Sequence, residues 1–234
     1  MELLYHHEVQ SLLYTLQRGG DGEGAQYHNE GFHNKGFHDE GLGTRQYKLF
    51  TFSTLRGRNM IANKRIIFNE VIYLDVRSVR GCLCDQLELA LKENPAVELC
   101  GQALTVKSIK TTELIITEDK LNIRMLSPLE VHTTGESKYS YYFTPLDKDF
   151  NEHINANFQR KWAAYTGNRP VSDITLTAVN VGARDKYVTT YKSTHINAWR
   201  GEYLLTGNPE YLNFLYYCGL GARNASGFGM FEVI

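Results

Sequence analysis

The chain has 234 residues, 42% apolar and 22% charged, the balance of an ordinary soluble globular protein with room for one large or two small domains. No run approaches the roughly 18 apolar residues of a membrane span and no signal peptide opens the chain, so a cytoplasmic location without membrane contact is expected. A formal net charge of −1 argues against wholesale coating of a duplex. The charge is uneven, however. Between residues 44 and 80, Arg45, Lys48, Arg56, Arg58, Lys64, Arg65, Arg77 and Arg80 are set against only Glu70 and Asp75, a basic stripe suited to a nucleic-acid groove.

In chain order, Leu3, Leu4, Val9, Leu12, Leu13 and Leu16 recur at helical spacing up to Arg18, and Gly19-Gly20 stops the helix. Tyr14 sits inside it. Residues 27–41 hold a five-residue repeat that places His28, His33 and His38 in equivalent boxes, each ended by glycine. That period fits neither helix nor strand, and its histidine spacing does not put two rings on one helical face, so a looped segment without a metal is expected. Tyr47 to Ser53 and Arg65 to Val76 read as strands, Cys82 to Lys92 as an amphipathic helix ended by Asn94-Pro95, and Ala103 to Ile109 as an alternating strand. Cys82, Cys84, Cys100 and Cys218 lack a Cys-x-x-Cys spacing and read as reduced thiols.

From about residue 111 the order recurs. Ile123 to His132 reads as a strand with Tyr139 to Thr144 returning on it. Asp147 to Tyr165 reads as a helix capped by Asp147, with Phe150, Ile154, Phe158 and Trp162 along one face. Strands around Ile174 to Val181 and His195 to Leu205 follow, then a helix from Pro209 to Cys218, a glycine-rich loop and a closing strand from Met230. The expected architecture is α+β: tandem ferredoxin-like βαββαβ units, residues 1–110 and 111–234, the first lacking its N-terminal strand. The loop runs Gly219-Leu-Gly221-Ala-Arg223-Asn-Ala-Ser-Gly227-Phe-Gly229. Its glycines free the backbone to approach a ligand and to offer bare N–H groups to an anion. It joins a helix to a strand and has no closing lysine, which argues against a nucleoside triphosphate site.

Leu12-Leu13-Tyr14, the Phe37 to Gly41 box followed by Tyr47-Lys48-Leu49-Phe50-Thr51-Phe52-Ser53, Leu126-Ser127-Pro128, Tyr142-Phe143-Thr144-Pro145 and the glycine loop occur in this order. Together they resemble the Cas-six-type endoribonucleases of the repeat-associated RAMP superfamily, which cut precursor CRISPR RNA within its repeats. The resemblance implies a catalytic set of Tyr14, His38 and Lys48, with His33 and His28 as alternatives because each lies in a box of the same type. His38 stands at the distance from Lys48 nearest to the family's usual gap. It also implies a repeat-RNA partner held along Arg56, Arg58 and the loop residues Gly219, Gly221, Arg223, Gly227 and Gly229. Other effector subunits and a homodimer are further partners in keeping with it.

The chemistry implied needs no cofactor. RNA supplies its own 2′-hydroxyl nucleophile, so the protein must align it, take its proton and protonate the leaving 5′-oxygen, giving 2′,3′-cyclic phosphate and 5′-hydroxyl ends. A histidine suits the general acid, and a lysine can stabilise charge on the phosphorane. The alternative is a non-catalytic subunit of an effector complex that binds repeat RNA.

Overall fold

Val9 and Leu13 lie four residues apart on helix α1 (His6–Arg18) and are buried, with Leu12, Tyr14 and Leu16 partly so. That spacing buries a single stripe. The structure, a computed structural model, describes residues 4–18, 32–33, 46–63, 65–134, 140–191 and 194–234. After α1, strand β1 (Phe32–His33) pairs antiparallel with β2 (Gln46–Tyr47), and β3 (Phe50–Phe52) follows, buried at every position. An exposed hairpin of β4 (Asn59–Ala62) and β5 (Arg65–Phe68) intervenes before β6 (Val76–Ser78) returns to pair antiparallel with β3. Helix α2 (Gly81–Glu93) sets Leu83 and Leu87 into the same core as α1. Strands β7 (Ala96–Leu99) and β8 (Gln102–Thr105) then form a hairpin.

The C-terminal half begins with β9 (Lys120–Met125), whose residues alternate exposed and buried, and an added hairpin of β10 (His132–Thr134) with β11 (Ser140–Tyr142). Helix α3 (Phe150–Thr166) buries Phe150, Ile154, Phe158 and Trp162. Strand β12 (Thr175–Asn180) is followed by a second added hairpin, β13 (Lys186–Tyr191) with β14 (Thr194–Trp199), then by β15 (Glu202–Thr206). Helix α4 (Pro209–Cys218) starts on Asn208, whose side chain accepts from Glu210 N–H, with Pro209 in the first turn where its missing donor costs nothing. Strand β16 (Phe231–Val233) closes the sheet in the order β12-β15-β9-β16, with each pairing antiparallel. This is the fourth-first-third-second order of a ferredoxin-like βαββαβ unit, and the fold is a tandem of such units. In the N-terminal half the helix-strand-strand-helix-strand order is present, and no strand precedes α1 among the described residues.

Several expectations need correction. The strand expected over Ile123 to His132 ends at Met125, and the one expected over His195 to Leu205 is two, β14 and β15, in different pairings. The strand expected over Ala103 to Ile109 is the short β8, because Cys100 and Gly101 take positive φ (53° and 69°) and make a two-residue hairpin turn matched to strand twist. The strand expected over Arg65 to Val76 is two, β5 and β6, in different pairings. Asp147 does not cap α3: its carboxylate accepts from Thr144 N–H at 2.8 Å, and the helix starts at Phe150.

Candidate nucleic-acid interface

Leu49 and Phe50 are consecutive yet buried in different cores, Leu49 with the C-terminal half and Phe50 with the N-terminal half. Leu49 takes φ 47°, a left-handed conformation that a leucine adopts only at some cost in strain. This reversal puts Lys48 at the seam of the two halves. The residue is partly buried, and desolvation lowers its pKa. Tyr14 reaches the same strand from α1, its ring edge-on to Phe50 with centroids 6.0 Å apart. Strand β1 brings His33 into register with Gln46, two residues before Lys48, and rests against α3. His28 and His38 lie outside the described residues. Tyr14 thus touches the strand two residues after Lys48, and the backbone of His33 pairs two residues before it.

Of the basic stripe, Arg58 is exposed beside the β4–β5 hairpin, whereas Arg56 forms an ion pair with Asp75. Arg77 is turned inward: it donates to the Phe231 carbonyl at 2.5 Å and its guanidinium lies 3.7 Å from the centre of the Tyr216 ring. It therefore clamps β6 to the C-terminal half.

The glycine loop packs against both halves. A side chain at Gly227 (φ 83°) would place its first carbon 2.4 Å from the Phe52 ring and 2.7 Å from His6 Nδ1, and one at Gly221 (φ 64°) would lie 2.4 Å from the Glu130 carbonyl oxygen. The N–H groups of Gly219, Leu220, Ala222, Ser226, Gly227 and Gly229 all donate to carbonyls of the protein. The expected row of bare N–H groups is therefore not met at these positions. Arg223 sits at φ 57° with its Nε 3.8 Å from a carboxylate oxygen of Glu130, which is fully buried.

Three buried polar groups around this loop escaped the reading of the sequence. Lys161 is 3% exposed and donates to the Gly219 carbonyl, the Gly221 carbonyl and Asn224 Oδ1 at 2.6, 3.2 and 3.1 Å. Burial lowers its pKa. His6 is held by Ser226 O at 3.1 Å from Nδ1 and is ringed by Tyr5, Phe52, Tyr187 and Phe228. Desolvation, with Arg200 nearby, lowers its pKa to about 4. Glu130 completes the set through a 2.6 Å contact with His132 Nδ1. The available signal was a polar residue on an apolar stripe: Lys161 between Phe158 and Trp162, and His6 three residues before Val9.

Two ferredoxin-like units, with a glycine loop of the second packed against both, place the chain among tandem ferredoxin-like proteins. The family model described as CRISPR associated protein Cas6, C-terminal, matches residues 109–233, more than half of the chain. The chain belongs to this family. A CRISPR-associated endoribonuclease Cas6 of Pyrococcus furiosus is 26% identical over 151 residues, covering 64% of this chain and 56% of that protein. A second, from Methanocaldococcus jannaschii, is 23% identical over 191 residues, covering 79% and 73%. Among solved structures, a Cas6-related protein from Pyrococcus furiosus superposes with a TM-score of 0.81 at 17% identity, covering 100% of this chain and 92% of that one. A RAMP protein described as binding different RNA substrates gives 0.78 at 20% identity, covering 100% and 93%. At these identities the structures speak for the fold. No described helix is long and apolar enough to cross a membrane.

Proposed function

We propose that the chain is an endoribonuclease that cuts CRISPR repeat RNA in precursor transcripts without a metal, leaving 2′,3′-cyclic phosphate and 5′-hydroxyl ends. The observation that carries this reading is the packing of Tyr14 on Phe50, two residues after Lys48, where the chain crosses from one core to the other. The names of the relatives from Pyrococcus furiosus and Methanocaldococcus jannaschii support it. In this reading Tyr14 and Lys48 act on the attacking 2′-hydroxyl and the phosphorane, and His38, with His33 and His28 as alternatives, protonates the leaving oxygen. Lys48 meets a phosphate with part of its hydration already removed, which strengthens its attraction to developing negative charge. Arg58 serves the RNA backbone through charge.

The test is cleavage of a repeat-containing transcript in excess chelator, with the ends analysed chemically and a 2′-deoxy substitution at the cut site as control. Cutting that persists in chelator, fails on the deoxy substrate and yields cyclic phosphate is the expected result. Binding without cutting would replace this reading with that of a non-catalytic repeat-RNA subunit.

A further inference from the structure

On the face of α3 turned away from Phe158, His153, Asn157 and Arg160 succeed one another at helical spacing and line a recess. Val131, His132 of β10, Gly221 and Ala222 form its other walls. The recess holds about 30 Å³, enough for one or two waters or the free oxygens of a phosphate, and too little for a nucleobase. Its walls hold unsatisfied polar atoms: Arg160 Nε and Asn157 Oδ1 are buried and make no hydrogen bond. Such groups are usually paired in folded proteins, so two unpaired atoms on residues that line one recess mark a place for a ligand. The Asn157 amide can turn its Nδ2 inward and serve as a second donor.

The electrostatics select the sign of that ligand. Glu130, two residues before His132, is fully buried: one carboxylate oxygen lies 2.6 Å from His132 Nδ1, and the other, 3.8 Å from Arg223 Nε, makes no hydrogen bond. It fixes the His132 ring through Nδ1, so the ring's Nε2 edge is the one free of this contact. His153 is fixed from its other side by stacking on Phe143, with ring centroids 4.0 Å apart. Arg160 lines the same recess as these two imidazoles and brings to it a guanidinium, a donor-only group. Among the described residues no three His, Cys, Asp or Glu side chains are grouped to hold a metal ion, and the donors present match an oxyanion.

We propose that this recess is a phosphate subsite for the RNA, in which Arg160, flanked by His132 and His153, grips one backbone phosphate next to the seam. The inference rests on the RNA reading above and deepens it. Its position follows from the topology: α3, which presents Arg160, also carries β1, and β1 pairs with the strand that leads into Lys48. Arg160 is here a positioning residue, since it holds the chain of the substrate without touching the reacting atoms.

The experiment uses a repeat RNA made uncleavable by a 2′-deoxy group at the cut site, with binding measured over a range of salt. Arg160→Gln should raise Kd about tenfold, and the slope of log Kd against log salt should be shallower by about 0.7, the value of one phosphate contact on a single strand. Scanning the RNA with single neutral methylphosphonate linkages should find one position that weakens binding to the parent and leaves Arg160→Gln unaffected, because the two changes remove the same contact. A folded Arg160→Gln variant with the parent's affinity and slope overturns the proposal, as does full additivity at every linkage. Thermal melting verifies folding, and His153→Gln is carried through the methylphosphonate scan alone if Arg160→Gln does not fold. A parent protein that neither binds nor cuts repeat RNA would remove the functional reading itself. Failure confined to the variants removes the recess alone.

Discussion

The Lys161 ammonium lies 2.6 Å from the carbonyl oxygen of Gly219, inside the glycine loop and shielded from solvent. Three acceptors of the loop share this one cation, so the loop is built around it. We expect Lys161→Met to leave those acceptors unpaired and to cost on the order of 2 to 4 kcal/mol, read as a lower midpoint in urea unfolding. A variant as stable as the parent would show that water replaces the ammonium there.

Gly227 and Arg223 should separate packing from charge. Gly227→Val forces a side chain into Phe52 and His6 and should lower Tm sharply whether or not RNA is present. Arg223→Ala leaves buried Glu130 without one of its two partners and should also destabilise, with Glu130→Gln restoring part of the loss. If Arg223→Ala keeps the parent's Tm and loses only RNA affinity, the arginine faces the substrate.

His6 gives the loop a pH dependence. Its pKa is about 4 in the folded protein, lowered by burial, against roughly 6.5 unfolded. In the window between those values the unfolded chain binds a proton that the folded chain refuses, so stability is full above about pH 6.5 and falls as the pH drops towards 4. Melting curves over this range should show the fall, and His6→Gln should flatten it. Parallel curves for parent and variant would assign the acid sensitivity to other groups.

For the candidate chemistry, Tyr14→Phe, Lys48→Ala and His38→Ala should each slow single-turnover cleavage by about 10² to 10⁴-fold while hardly changing RNA affinity. His33→Ala and His28→Ala, made separately, decide among the boxes. Full activity of the His38 variant would transfer the role to another histidine or to none.

Arg58 and Arg56 should differ. Removing exposed Arg58 should flatten the salt dependence of RNA binding by up to about one unit. Removing Arg56 should do less, because Asp75 already neutralises it. Equal effects would mean that RNA displaces Asp75.

The C-terminal unit was legible from periodicity because its elements are long and amphipathic: Phe150, Ile154, Phe158 and Trp162 mark a helix in any register. Asn208-Pro209 likewise announces the start of α4. The glycine loop was legible as a place but not as an environment, since its contacts with Thr51, Phe52, His6 and Glu130 come from distant parts of the chain. Cys100-Gly101 was missed because cysteine is not a usual turn residue, although the glycine beside it was available as a signal. Tyr14 and Lys48 were singled out by resemblance, and nothing local betrays the backbone reversal at Leu49 that brings Lys48 to the seam.

That reversal also means that the order of the polypeptide and its units of cooperativity are out of step. Tyr47 and Leu49 belong to the core of the second half although they precede most of the first, so a fragment beginning after residue 110 would expose the apolar surface that they cover. The two halves should therefore unfold in one transition, and the amides of Phe50 to Phe52 should exchange with solvent only when the whole molecule opens.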